Sequence, residues 1–136
     1  MEGARLSHGP MIVLFCGGRD CTPESHGQQV YADVFGIPRG SIVLHGGAKG
    51  ADALASNAAR HYAKERDLHE AIVPALWGTH GKSAGPRRNA AMLKLRPDFA
   101  FAYPTGGPGT NHMVALLQRE NIPVVILARR SPRDHP

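Results

Sequence analysis

Short runs of Val, Ile, Leu and Phe recur along the chain, separated by longer stretches in which apolar residues return every three or four positions. The runs are MIVLFC at 11–16, SIVLH at 41–45, EAIVPA at 70–75, DFAFAY at 98–103 and IPVVIL at 122–127. Each has the length of a strand and little polar alternation, so each is expected to be buried on both faces. Between them, 51–66 sets Ala51, Leu54, Ala55, Ala58 and Tyr62 at helical spacing, with Arg60, Lys64 and Glu65 on the other faces. A second helix is expected over 86–96, opening on Pro86 and stopping before Pro97. A third, over 110–121, groups Met113, Leu116 and Leu117, and a fourth falls near 26–36. This alternation predicts an α/β fold: a Rossmann-like, doubly wound, mainly parallel five-stranded sheet with helices on both faces.

That topology sorts the loops. Right-handed crossovers put every strand's carboxyl exit on one edge of the sheet, where ligands bind at the point of reversal in strand order. GGRD (17–20), GGAKGAD (46–52) and TGGPGTN (105–111) follow the first, second and fourth strands, and HGKSAGPRRN (80–89) lies in the long loop after the third. Glycine lets backbone approach a ligand closely, and a helix beginning just afterwards offers unpaired N–H groups and the positive end of its dipole. The expected ligand contacts are Gly17, Gly18, Arg19 and Asp20 in the first loop and Gly46, Gly47, Lys49, Gly50 and Asp52 in the second. Lys82, Gly85, Arg88 and Asn89 follow in the third, and Gly106, Gly107, Gly109, Thr110 and Asn111 in the fourth.

Individual roles follow from side-chain chemistry. Arg88, rather than Arg87, is expected to fork onto phosphate. Asp52 either stabilises the first helical turn or accepts from a ribose hydroxyl, and Thr110 or Asn111 either caps its helix or binds a phosphate oxygen. Trp77 and Tyr103 stand near strand exits, where a ring can stack on a base. Cys21 has no base beside it in the sequence and is not expected to be a nucleophile.

At 136 residues, with 42% hydrophobic and 20% charged positions, the chain is expected to form a single domain over 11–128. Residues 1–10 read as a flexible lead-in and 129–136 as a disordered basic tail. No apolar run is long enough to cross a bilayer, and with two cysteines outside any C-x-x-C spacing the expected location is the cytoplasm. The eight histidines form no H-x-x-x-H pair, so no metal is expected. Of the formal charge of +5, the last eight residues carry +2 and the first ten none, leaving +3 for the body. Without a continuous basic stripe, that balance favours a phosphorylated small molecule and argues against nucleic acid.

Taken together, LFCGGRD, LHGGAKGADALA, HGKSAGPRRNAAML and PTGGPGTNHMV resemble the SLOG superfamily, which unites Smf/DprA and LOG proteins, and within it the small YspA-like branch related to YpsA. The resemblance covers about residues 11–127. It implies a Rossmann-like domain that binds nucleotides or nucleotide-derived ligands, with NAD or ADP-ribose derivatives suspected in parts of the superfamily. It also implies pairing into a homodimer, as LOG relatives do. LOG proteins hydrolyse the N-glycosidic bond of cytokinin nucleoside monophosphates with an Arg and the Glu of P-G-G-x-G-T-x-x-E. Here Met113 stands where that Glu would be, and a thioether cannot shuttle protons.

The resulting expectation is a module that binds a nucleotide or ADP-ribose-type ligand as sensor or carrier and requires no cofactor. The second reading is a hydrolase of an N-glycosidic or phosphoribosyl bond, with Asp20, Asp52 and Arg88 as its catalytic candidates. A single-stranded DNA-binding module ranks third.

Overall fold

The computed structural model describes residues 9–127. Five strands form one parallel sheet: β1 (Ile12–Gly17), β2 (Ile42–His45), β3 (His69–Ile72), β4 (Phe99–Tyr103) and β5 (Val124–Ile126). Their order is β3-β2-β1-β4-β5, with β1 at the centre and the reversal between β1 and β4. The chain is therefore the Rossmann-like α/β sheet that its apolar spacing predicts. All but two residues of the expected lead-in, and the expected basic tail, lie outside the described residues.

Alternation along the central strands supplies two cores, one on each face of the sheet. Val13 and Phe15 of β1, Val43 of β2 and Tyr103 of β4 point to one face. There they meet Val30 and Val34 of α1 (Gln28–Phe35) and Leu54, Ala55 and Ala58 of α2 (Ala51–His61). Leu14, Cys16, Leu44, Ala100 and Ala102 point to the other face. Met92 of α5 (Ala84–Lys94) and Met113, Leu116 and Leu117 of α6 (Pro108–Arg119) close that side. Successive side chains of a strand face opposite ways, so a run apolar at every position suits a strand covered on both faces.

Four expectations shift. β3 and β5 are edge strands with largely exposed side chains, so EAIVPA and IPVVIL are not buried on both faces. The apolar run alone does not report sheet position. The helix expected over 51–66 breaks at Tyr62, whose ring packs edge-on to Phe35 at 4.9 Å, and resumes as the short α3 (Ala63–Arg66). The segment after β3 is not all loop: α4 (Trp77–His80) and a 3-10 turn (Gly81–Ser83) lead into α5. A π-helical turn at Pro23–Gly27 likewise precedes α1. Pro86 sits at the third position of α5, where a missing N–H costs nothing because first-turn amides have no intrahelical partner. Among the described residues, no helix is long and apolar enough to cross a membrane.

Candidate functional site at the carboxyl edge

A cleft of about 830 Å³ opens at the carboxyl edge, at the reversal between β1 and β4. The four loops do converge on it. Gly17, Gly18, Arg19 and Asp20 reach it from β1, and Gly46, Gly47, Lys49 and Asp52 from β2. Arg88 and Asn89 enter from α5, and Gly106, Gly107, Gly109 and Thr110 from the β4 exit. Gly50, Lys82, Gly85 and Asn111 are not among its lining. Cys16, Ala48, Pro74, Ala75, Met92, Thr105 and Pro108 line it without having been singled out in the sequence.

The β2 loop is closed on itself. Oδ2 of Asp52 accepts from the amides of Gly46 at 3.1 Å and Ala48 at 3.2 Å, while Gly47 donates to Nδ1 of His45 at 3.0 Å. Three amides that the glycine pattern offers to a phosphate are thus occupied by the protein. Asp52, only 7% exposed, clamps its own loop through Oδ2. Burial pushes its carboxyl above the ordinary range, against the pull of the Ala48 and Gly46 amides and the Arg88 guanidinium. The same burial, with Asp52 beside it, pushes the Cys16 thiol up to about 12.

Two glycines explain why the loop has this shape. Gly50 has φ +84°, and a Cβ there would lie 2.2 Å from the Gly18 carbonyl oxygen, so the α2 start presses directly on the β1 loop. A Cβ at Gly46 would fall 2.0 Å from Nη1 of Arg88. That nitrogen donates to the Gly46 carbonyl at 3.0 Å, and Nε of Arg88 donates to Oδ1 of Asn89 at 3.0 Å. Asn89 in turn donates from Nδ2 to the Gly109 carbonyl at 3.3 Å. Arg88 and Asn89 therefore stitch α5 to the β2 and β4 loops.

Behind this loop lies a polar group that sequence spacing gave no reason to choose. His45, with 2% exposure, places Nε2 2.5 Å from Oε2 of Glu70. Because Nδ1 accepts from Gly47, the proton sits on Nε2. Burial pushes Glu70 up, but donors from Ser56, His45 and Arg60 outweigh it and hold the carboxyl below its usual range. The only signal for these residues was a lone His at a strand tip.

The β4 loop is more open. Gly107 caps α6 without a side-chain hydrogen bond, so Thr110, which is buried, does not cap the helix, nor does Asn111. A Cβ at Gly106, Gly107 or Gly109 would meet nothing within 4 Å. Across the mouth, the Thr105 hydroxyl donates to Oδ1 of Asp20 at 2.5 Å and holds that carboxyl below its ordinary range. Trp77 stands on the rim with 55% of its surface exposed, its ring over Gly85. Tyr103 is unavailable for stacking: it is buried, and its hydroxyl donates to Oδ2 of Asp33 at 2.8 Å. Met113 is a core residue on the far face. Among the described residues, no group of His, Cys, Asp and Glu has a metal-binding arrangement.

No protein-family model matches the chain. The Gene 61 protein of Mycobacterium phage D29 is 38% identical over 94 residues, spanning 65% of this chain and 72% of that protein. The chain belongs to the Gene 61 protein family. For this Gene 61 family member the fold has a solved counterpart in DNA processing protein A from Helicobacter pylori, described for its single-stranded DNA binding mode. The two match with a TM-score of 0.62 and 18% identity, covering 91% of this chain and 68% of the other. At that identity the likeness establishes a shared fold.

Two expectations are corrected here. The reading as a sensor or carrier of a small nucleotide or ADP-ribose-type ligand does not stand, nor does the argument against nucleic acid. The solved protein that shares this fold binds single-stranded DNA, and the phosphate-gripping amides of the β2 loop are taken by Asp52 and His45. The charge argument failed because it looked for a stripe along the chain. Arg19, Lys49 and Arg88 belong to three separate segments and meet only across the cleft.

Proposed function

We propose that this Gene 61 family member is a single-stranded DNA-binding module whose carboxyl-edge cleft receives the strand. One observation carries the reading: the exposed ring of Trp77 lines the same cleft as Arg19, Lys49 and Arg88. An indole stacks on unpaired bases of any identity, and cations beside it serve the backbone. Arg19 and Lys49 are exposed and make no hydrogen bond or ion pair among the described residues, so both are free for phosphate. The fold shared with a protein described for single-stranded DNA binding supports the same class of ligand. The binding unit in this reading is the single domain over 11–128, and the four motifs argue for the YspA-like branch of the superfamily.

The sequence holds one tryptophan, so its emission reports on the rim alone. Titration with a 15-nucleotide single strand at low salt is expected to quench it, and a blunt duplex of the same length to quench it far less. With two free rim cations, the slope of log affinity against log salt is expected near about −1.4, at ~0.7 per phosphate. No change in emission or in the anisotropy of a labelled single strand at 50 mM salt would overturn the assignment.

A further inference from the structure

The rim and the floor of the cleft differ in chemistry. Arg19 and Lys49 at the rim are uncommitted, whereas the cation at the floor is not: Arg88 spends Nε on Asn89 and Nη1 on the Gly46 carbonyl. Beside it lies Asp52, held by Oδ2 alone through the Gly46 and Ala48 amides. Its second oxygen, Oδ1, receives no protein donor among the described residues, and Asp52 lines the cleft. The floor therefore carries opposite charges that offset each other and an acceptor oxygen without a protein donor, while the rim carries free positive charge. A phosphate at the floor would meet a carboxylate; a base edge bearing an N–H donor would satisfy it.

We infer that the strand enters base first: an unstacked base with an exocyclic amino group reaches the floor and donates to Oδ1 of Asp52, while its phosphates stay on Arg19 and Lys49. This rests on the DNA-binding reading above and adds a preference to it. Cytosine presents an N4 amino donor where thymine presents an O4 acceptor, and the two rings are of similar size.

Anisotropy of labelled 15-mers of dC, of dT and of 2-pyrimidinone, which is cytosine without its amino group, tests the inference on the native protein. A hydrogen bond to a charged acceptor leads us to expect dC to bind about tenfold more tightly than either of the others. Asp52→Asn retains an oxygen for the Gly46 and Ala48 amides and turns an NH₂ donor toward the cleft, so its preference is expected to reverse toward dT. A merely loosened loop would weaken all three oligomers alike. Equal affinities for dC, dT and 2-pyrimidinone overturn the inference even if Asp52→Asn fails to fold, and so does an unreversed preference in a folded variant. Failure of the native protein to bind any of the three overturns instead the DNA-binding reading beneath it.

Discussion

Replacing Trp77 with alanine separates stacking from charge in the cleft. The indole is 55% exposed and rests on Gly85, where a Cβ would lie 3.3 Å from its Cη2, so little packing is lost with it. Stability is expected to change by less than about 1 kcal/mol, as at other largely exposed positions. Binding should suffer more. A base stacked on one aromatic ring contributes ~1–3 kcal/mol, which converts to a roughly 5- to 150-fold rise in Kd. Because the variant has no tryptophan, the assay is the anisotropy of a labelled single strand, run across a salt series. Kd should rise at every salt concentration while the slope stays near that of the native protein, since no phosphate contact has been removed. Trp77→Phe keeps a ring and should recover most of the loss. A Kd for Trp77→Ala within twofold of native, or a flattened salt slope, would show that Trp77 is not the platform.

The rim cations should behave in the opposite way: Arg19→Ala and Lys49→Ala are each expected to reduce the salt slope by ~0.7, with the thermal midpoint unchanged, because both side chains are exposed. Gly50→Ala forces a Cβ against the Gly18 backbone at φ +84° and should cost at least ~2 kcal/mol in urea denaturation. Gly46→Ala meets side-chain atoms rather than backbone, the guanidinium of Arg88 and Oδ2 of Asp52 at 3.1 Å, so it should stay folded but bind DNA several-fold more weakly; if the two glycines prove equally destabilising, the account of the loop is wrong. Asp52 has a pKa raised by burial, so the stability tied to its protonated form is complete below the unfolded value and lost as pH rises through the folded one. Asp52→Asn lacks that loss, and its stability relative to native should therefore climb as pH rises from about 4. Denaturation at pH 3.5 and pH 7 checks the sign, and a relative stability that falls with pH would contradict it.

Much of the fold was legible because its causes are local. Five apolar runs at strand length, alternating with segments of helical period, leave few topologies once right-handed crossovers are imposed. The same rule placed the glycine loops of β1, β2 and β4 on one edge, and the cleft is found there. The edge status of β3 and β5 was not legible, since Val and Ile in a run do not say which strand lies alongside. Nor was the break at Tyr62, whose ring meets Phe35 of α1, 27 positions away.

The sequence by itself determined the elements, the parallel sheet and the edge at which the glycine loops gather, because turn chemistry and periodicity act over a few residues. Tertiary structure decided what those loops can grip. Whether the Gly46 and Ala48 amides are free depends on where the Asp52 carboxylate points, and whether Arg88 is free depends on the Gly46 carbonyl 42 residues away. A hydrogen-bonding group that finds a partner inside the protein is lost to a ligand, and that choice is made by packing in three dimensions. By the same packing Trp77, Arg19 and Lys49, from different loops, come to share one cleft.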